Sequence, residues 1–316
     1  MAAGSALLVA TLLTVGPRPA AADSRWGANY FPNLELTTQD GAKVHFYDDV
    51  LKGKIVAINL IYTHCQYSCP LETARLAQVQ QILGDRVGKD IFFYSITLDP
   101  ARDTPEVLKA YAEKYHAGPG WTFLTGKKED IELISKRIGL YSNPGLNKDG
   151  HTPHLLIGNE VTGQWMRDSA TDNPKFLANL IANFMGSWRS AGTRAPTKNQ
   201  AEAAPLDLSN LGRYLFQKEC AACHTIGGGD KIGPDLLGVT NTRDRAWLVR
   251  FIHEPDKMIA EEDPIATALF RKYKEVRMPN LRVGSEDMKA LLGFLASQDR
   301  TGPVPRAESQ PGTAEP

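Results

Sequence analysis

The string Cys220-Ala221-Ala222-Cys223-His224 constrains this chain more than any other feature of its sequence. Two thiols one helical turn apart can form thioethers to the two vinyl groups of a haem, and the adjacent histidine can reach the iron. With four cysteines and seven histidines in 316 residues, chance would give such a string only about 0.001 times. The string therefore predicts one covalent haem c, with a zinc half-site or a redox dithiol as the alternatives.

The residues around this string resemble those of class I cytochromes c. A helical pattern runs into the motif over Tyr214–His224, and the string Ile232-Gly233-Pro234-Asp235-Leu236 follows. Met278-Pro279-Asn280-Leu281 then precedes a final helical pattern. The resemblance implies a small all-α cytochrome c domain.

The same resemblance implies the ligands of the haem iron. His224 is the proximal ligand, Met278 is the distal ligand, and Pro234 supports the His224 side. Thioether ligation by methionine suits an electron-transfer haem. Met258 is the rival distal ligand, whereas Met288 has the helical spacing of a core residue.

The other two cysteines, Cys65 and Cys69, lie between an apolar β-branched run, Lys54–Tyr62, and a helical pattern over Pro70–Leu83. A helix N-terminus lowers the pKa of a thiol, which favours the thiolate. Two thiolates one turn apart suit copper, especially Cu(I), and an imidazole would complete a site for either oxidation state. A static disulfide or a pair of buried thiols is the alternative.

Strand and helix patterns alternate through the first part of the chain. The alternation predicts an α/β domain with a mostly parallel sheet and helices on both faces. Besides the run and helix around the cysteines, strands are expected at Ile91–Leu98, Trp121–Leu124, His154–Ile157 and Gly163–Arg167, and helices at Thr104–Tyr115, Lys128–Ile138 and Pro174–Trp188. The last part shows helical patterns only, at Ser209–Gln217, Ala246–His253 and Ser285–Ser297. A helical domain of this length buries only a small hydrophobic core unless a large apolar group fills its interior.

Residues 27–187 resemble the SCO/SenC family. The matching strings are Asp40-Gly41, Lys52-Gly53-Lys54, Tyr62–Pro70 with its C-x-x-x-C-P core, and Ser95–Pro105. The resemblance implies a thioredoxin-like fold that binds copper through two cysteines and a distant histidine. It also implies a role in assembling the binuclear copper centre of cytochrome oxidase, with a thiol–disulfide activity as a further possibility.

Carried onto this sequence, the resemblance makes Cys65 and Cys69 the thiolate ligands of one copper ion, Cu(I) or Cu(II), and His151 its imidazole ligand. Gly150 stands where the family has an aspartate, and His154 is the alternative imidazole. If the chain performs thiol–disulfide exchange instead, the same two cysteines are its catalytic residues.

Other polar residues have weaker assignments. His64 adjoins Cys65, but neighbouring residues at a strand end point to opposite faces, so we expect it to face solvent or support the site. Asp99 either supports the copper site or caps the loop that follows it. His116 and His253 have no partner at ligand spacing and are expected on the surface.

Composition divides the chain into five segments. An apolar run and the trio Ala20-Ala21-Ala22 predict a signal peptide over residues 1–22, with an uncleaved anchor as the alternative. The SCO-like domain is expected over 23–188 and the cytochrome c domain over 207–300. A linker over 189–206 and a disordered tail over 301–316 contain almost no large apolar residues.

The charge balance gives no support for two classes of partner. With 36 basic and 36 acidic residues, the chain offers no electrostatic case for binding nucleic acid or an anionic membrane surface.

The motifs and resemblances together predict a periplasmic protein, without a membrane-spanning segment after cleavage of the signal peptide. We expect it to insert copper, or to maintain the redox state of copper, at the copper subunit of a cytochrome oxidase or at another respiratory partner. This favours a metallochaperone or electron carrier over a turnover enzyme. The alternatives are a haem-coupled thiol–disulfide oxidoreductase without copper, and a plain electron carrier with an SCO-like docking domain.

Overall fold

The computed structural model describes residues 26–141, 153–185 and 211–301. The predicted signal peptide, the linker over 189–206 and the tail beyond Thr301 lie outside these ranges. Within them, no helix is both long and apolar enough to cross a membrane.

A seven-stranded sheet forms the centre of the first domain. Its strands stand in the order β2-β1-β5-β4-β3-β6-β7. Their bounds are β1 Glu35–Thr38, β2 Lys43–His45, β3 Ile55–Ile61, β4 Ile91–Thr97, β5 Trp121–Thr125, β6 His154–Asn159 and β7 Gln164–Ser169.

The expectation of a mostly parallel sheet is wrong. Only β3–β4 and β4–β5 pair in parallel, whereas the other four pairings are antiparallel. Two of the four, β1–β2 and β6–β7, are hairpins at the sheet edges, since an antiparallel pair needs only a short turn between its strands. The other two, β1–β5 and β3–β6, join these hairpins to the parallel centre of the sheet. Gly41, with a φ of 81°, lies in the turn between β1 and β2, a hairpin the sequence analysis did not predict.

Helices cover both faces of this sheet. Alternate residues of β3 enter two separate cores, which explains why every residue of this strand is buried. One core is shared with α1 Ser68–Leu83, α2 Pro105–Lys114 and α4 Pro174–Asn179, and the other with α3 Lys128–Arg137 and a short π-helix at Phe46–Leu51. Thr104 caps α2 as predicted, because its side chain accepts a hydrogen bond from the N–H of Val107. The arrangement is thioredoxin-like.

Residues 211–301, the described part of the second domain, contain helices and loops but no strand. Its helices are α5 Leu211–Leu215, extended by a π turn over Phe216–Cys220, α6 Val239–Thr242, α7 Arg245–His253, α8 Pro255–Ala260, α9 Pro264–Lys272 and α10 Ser285–Thr301. Gly212 lets α5 cross α10 closely, since an added Cβ would lie 2.1 Å from the carbonyl oxygen of Ala290. The buried core around this crossing is small.

Candidate metal centres

The dithiol lies where β3 gives way to α1. Cys65 follows the strand in a turn, and its N–H donates to the carbonyl oxygen of Tyr62 over 3.1 Å. Cys69 is in the first turn of α1, followed by Pro70, which is tolerated there because its missing N–H would have no partner within the helix. Both side chains are free thiols and almost fully buried, with exposures of 2% and 0%.

The two thiols differ in acidity. The hydrogen bond from the Cys69 thiol is the main cause that lowers the pKa of Cys65 to about 6. Burial opposes this shift, whereas hydrogen bonds from the Tyr62 side chain and from the N–H groups of Cys69 and Tyr67 add to it. Burial above all raises the pKa of Cys69 well above its ordinary value. Cys65 is therefore the more acidic thiol of the pair, which suits it to act as a soft metal ligand or a nucleophile.

A buried carboxylate supports the strand ends beside the dithiol. Asp103 is fully buried and accepts hydrogen bonds from the N–H and hydroxyl of Thr63, at 3.1 and 2.6 Å, and from the hydroxyl of Thr97, at 2.5 Å. It thereby ties the end of β3 to the end of β4. The sequence analysis missed this role, although Asp103 belongs to one of the matching strings.

His64 belongs to an exposed polar cluster. Its Nε2 lies 3.6 Å from Asp99 Oδ2 and 3.1 Å from Arg102 Nη1. Asp99 also organises the following loop, because its carbonyl oxygen accepts from the N–H of Asp103 over 2.9 Å. A role of Asp99 at a copper site stays a prediction.

The imidazole ligand of the copper site stays a prediction. His151 lies outside the described residues. His154 begins β6 and is exposed, and the described ranges contain no group of three His, Cys, Asp or Glu side chains arranged to hold a metal. Neither His64 nor His154 therefore joins both cysteines in such a group. His116 and His253 are exposed, as expected.

The haem motif opens into an apolar cavity of the second domain. His224 Nδ1 lies 2.8 Å from the carbonyl oxygen of Pro234, and this hydrogen bond leaves Nε2 free to bind iron. Burial lowers the pKa of His224, which favours the neutral ring that iron ligation requires. Gly233 allows the close approach, since an added Cβ would lie 2.6 Å from the His224 ring.

The rest of this cavity also fits a haem. Cys220, Cys223 and Met278 line it together with many apolar side chains, and Arg243 and Arg277, which also line it, would offer positive charge to the propionates of a haem. Burial raises the pKa of Cys220 to about 12 and that of Cys223 to about 11. Burial thus shifts the acidity of these two thiols in the direction opposite to that of Cys65, away from the activated thiol that a redox dithiol uses.

Met278 is the methionine that lines this cavity. Met258 and Met288 are instead buried, with exposures of 1% and 5%, and Met288 packs in the small helical core. The geometry therefore favours Met278 as distal ligand over its rival Met258.

Replacing Met278 by alanine should remove the weak near-infrared sulfur–iron charge-transfer band of the ferric protein and lower its reduction potential, because the thioether ligand is lost. Optical spectra and a redox titration of the purified holoprotein measure both effects. Met258→Ala is the matched control and should keep the band. If Met278→Ala keeps the band and Met258→Ala loses it, the distal assignment is wrong.

Two family models match this chain. The SCO1/SenC model matches residues 22–156, and the cytochrome c model matches residues 209–299. The first range contains the C-x-x-x-C loop, and the second contains the C-x-x-C-H motif and Met278.

Several known proteins align with the first domain. A putative copper-binding protein of Stutzerimonas stutzeri is 33% identical over 119 residues, which cover 38% of this chain and 56% of that protein. The SCO2-like protein of Rickettsia conorii is 32% identical over 159 residues, covering 48% of this chain and 75% of that protein. The structure of copper-bound ScoI from Bradyrhizobium japonicum has 26% identity and a TM-score of 0.40, covering 48% of this chain and 97% of that one. The chain thus spans just over half the length of the Stutzerimonas protein.

Proposed function

This chain belongs to the SCO1/SenC family and carries a cytochrome c domain, and we therefore propose that it is an exported copper-binding redox protein with a c-type haem. Its role in this proposal is to insert copper, or to maintain its redox state, at the copper centre of a cytochrome oxidase. Copper is then the cargo, and haem is the resident cofactor.

The observation that carries the proposal is the buried pair Cys65 and Cys69 at the N-terminus of α1. A thiolate at Cys65, with a second sulfur one helical turn away, is a soft donor set that suits Cu(I). His151 would add an imidazole, which lets the same site hold Cu(II).

The second domain supplies the residues that would hold haem. Cys220 and Cys223 would attach it covalently, His224 would bind the iron through Nε2, and Met278 would bind on the other side. Haem held in this way supplies one-electron redox chemistry. The hydrogen bond between His224 and Pro234 fixes the ring orientation, and the apolar lining limits water in the cavity.

The proposal places the protein in the periplasm, with residues 1–22 as its export signal or, uncleaved, as its anchor. Its partner would be the copper subunit of an oxidase or another respiratory redox protein. An oxidising compartment converts thiols to disulfides. A source of electrons close to Cys65 and Cys69 would therefore keep the copper-binding form available.

A thiol–disulfide oxidoreductase that uses no copper is the second candidate. The unequal acidity of Cys65 and Cys69 supports it, because thiol exchange begins with attack by a thiolate, which the more acidic thiol of the pair supplies. The family's metal chemistry supports copper instead.

Metal analysis of the full chain separates the two candidates. The protein would be purified from a host that matures cytochromes c, loaded with copper under reducing conditions and desalted. A copper-to-haem ratio near one supports the copper protein. A protein with full haem and no retained copper, but with a reducible Cys65–Cys69 disulfide, supports the oxidoreductase.

A further inference from the structure

We infer that Arg75 and Gln78 on α1 form a docking surface for the haem-motif end of the second domain, and that this contact lets the two redox sites exchange electrons within one chain. The inference rests on the proposed function for its electron exchange, but the docking itself does not depend on copper. It concerns the face of α1 that carries Leu71, Ala74, Arg75 and Gln78, on the helix whose first turn contains Cys69.

Arg75 binds the end of the helix that leads into the haem motif. Its side chain is only 3% exposed, and Nη2 donates to the carbonyl oxygens of Lys218, at 2.6 Å, and Gln217, at 3.4 Å. Gln78 Nε2 donates to the carbonyl oxygen of Ala221 over 3.2 Å. The last carbonyls of a helix lack partners within it and carry partial negative charge, so a guanidinium is a well-matched cap for them.

A second contact joins the two metal centres more directly. The N–H of Asn280, two residues after Met278, donates to the carbonyl oxygen of Gln66 over 3.0 Å. The guanidinium of Arg282 lies 5.5 Å from the ring centre of Tyr67. The loop that carries the distal methionine therefore rests on the loop between Cys65 and Cys69.

Apolar packing fills the space between these polar contacts. Ala222 and Ile232 of the second domain are buried in the same cluster as Leu71 and Ala74 of α1. Leu71 also lines the haem cavity. One interface thus contacts α1 at Leu71, Ala74, Arg75 and Gln78 and reaches the lining of the haem cavity through Leu71.

The geometry assigns roles to the interface residues. Arg75 and Gln78 are positioning residues, since they hold the haem-motif loop without lining the haem cavity. The hydrogen bond from Asn280 to Gln66 provides a short protein path between the cavity and the dithiol loop. The exchange moves one electron from ferrous haem to Cu(II), leaving ferric haem and Cu(I), with no proton or third reactant required.

Arg75→Ala in the full-length holoprotein tests the inference by two measurements. The first is the rate at which iodoacetamide alkylates Cys65 in reduced, copper-free protein, which reports whether the loop between Cys65 and Cys69, where Asn280 binds Gln66, has become more accessible. The second is the rate of haem reoxidation after rapid reduction of protein loaded with Cu(II). We expect alkylation to rise and the first-order electron exchange to fall, each by about tenfold or more, as for loss of a charge-assisted hydrogen bond.

Arg86→Ala is the matched control. Arg86 also lies in the first domain, but it binds Asp90 and the carbonyl oxygen of Ala182, which belong to the first domain as well. Both rates should stay at their wild-type values in this variant. Arg75→Lys, which keeps the charge without the planar fork, should restore part of each rate, and Gln78→Ala should shift both in the direction of Arg75→Ala.

Two results would overturn the inference. One is that Arg75→Ala has the same rate of Cys65 alkylation, or the same rate of haem reoxidation, as Arg86→Ala. The other is that the wild-type rate of haem reoxidation increases with protein concentration. A wild-type protein that retains no copper would count against the proposed function alone, because the alkylation series is measured without copper and still reports on docking.

Discussion

Replacing both Cys220 and Cys223 by serine is expected to abolish covalent haem. Serine hydroxyls do not add to the vinyl groups, so no thioether bond can form. A denaturing gel stained for haem peroxidase activity should lose its band completely in the double variant, whereas the wild-type band should lie near the mass of the mature chain. Cys65→Ser/Cys69→Ser is the matched control and should keep the band at full strength.

The same change should also destabilise the second domain. Its buried core is small, and a large apolar cavity lined by Leu248, Leu291 and Leu295 lies beside it. Without haem to fill this space, we expect the helical domain to unfold at a much lower temperature than the first domain, which circular dichroism would show as two separated transitions. Haem that acid acetone extracts from the wild-type protein would contradict the covalent assignment.

Local sequence signals predicted the parts of the fold that are determined locally. The strand at β3 and the capped start of α2 follow from continuous apolar residues and from Thr104-Pro105. The short strands β1 and β2 were missed because three or four residues carry little periodic signal, although Asp40-Gly41 marks a turn between them.

Contacts between distant segments could not be predicted in this way. Arg75 has the sequence appearance of an ordinary exposed helix residue, and only the folded chain shows that it meets carbonyl groups more than 140 residues away. Asp103 was visible as part of a matching string, but its role depends on Thr63 and Thr97, which the fold brings beside it. Hydrophobic periodicity reports burial along one element and not the pairing of elements.

Replacing either Cys65 or Cys69 by serine is expected to remove tight Cu(I) binding. The thiolate is the soft ligand that Cu(I) prefers, and a serine hydroxyl is a hard, neutral donor at neutral pH. Changes to residues behind a metal ligand already lower affinity roughly 10–100-fold, so loss of a ligand itself should exceed about 100-fold. Competition with a chromophoric Cu(I) chelator under anaerobic conditions measures the change, and retention of wild-type affinity in either variant would contradict the two-thiolate site.

The imidazole ligand can be identified by comparing the two oxidation states. His151→Ala should leave much of the Cu(I) affinity, because two sulfur ligands already satisfy Cu(I), but it should change the Cu(II) electronic and electron paramagnetic resonance spectra. His154→Ala is a matched control three residues away, at the exposed start of β6, and should leave both unchanged. The reverse outcome, in which only His154→Ala alters the Cu(II) spectra, would transfer the ligand to β6. In that case the strand would have to approach the dithiol more closely than it does among the described residues, where His154 forms no group with Cys65 and Cys69.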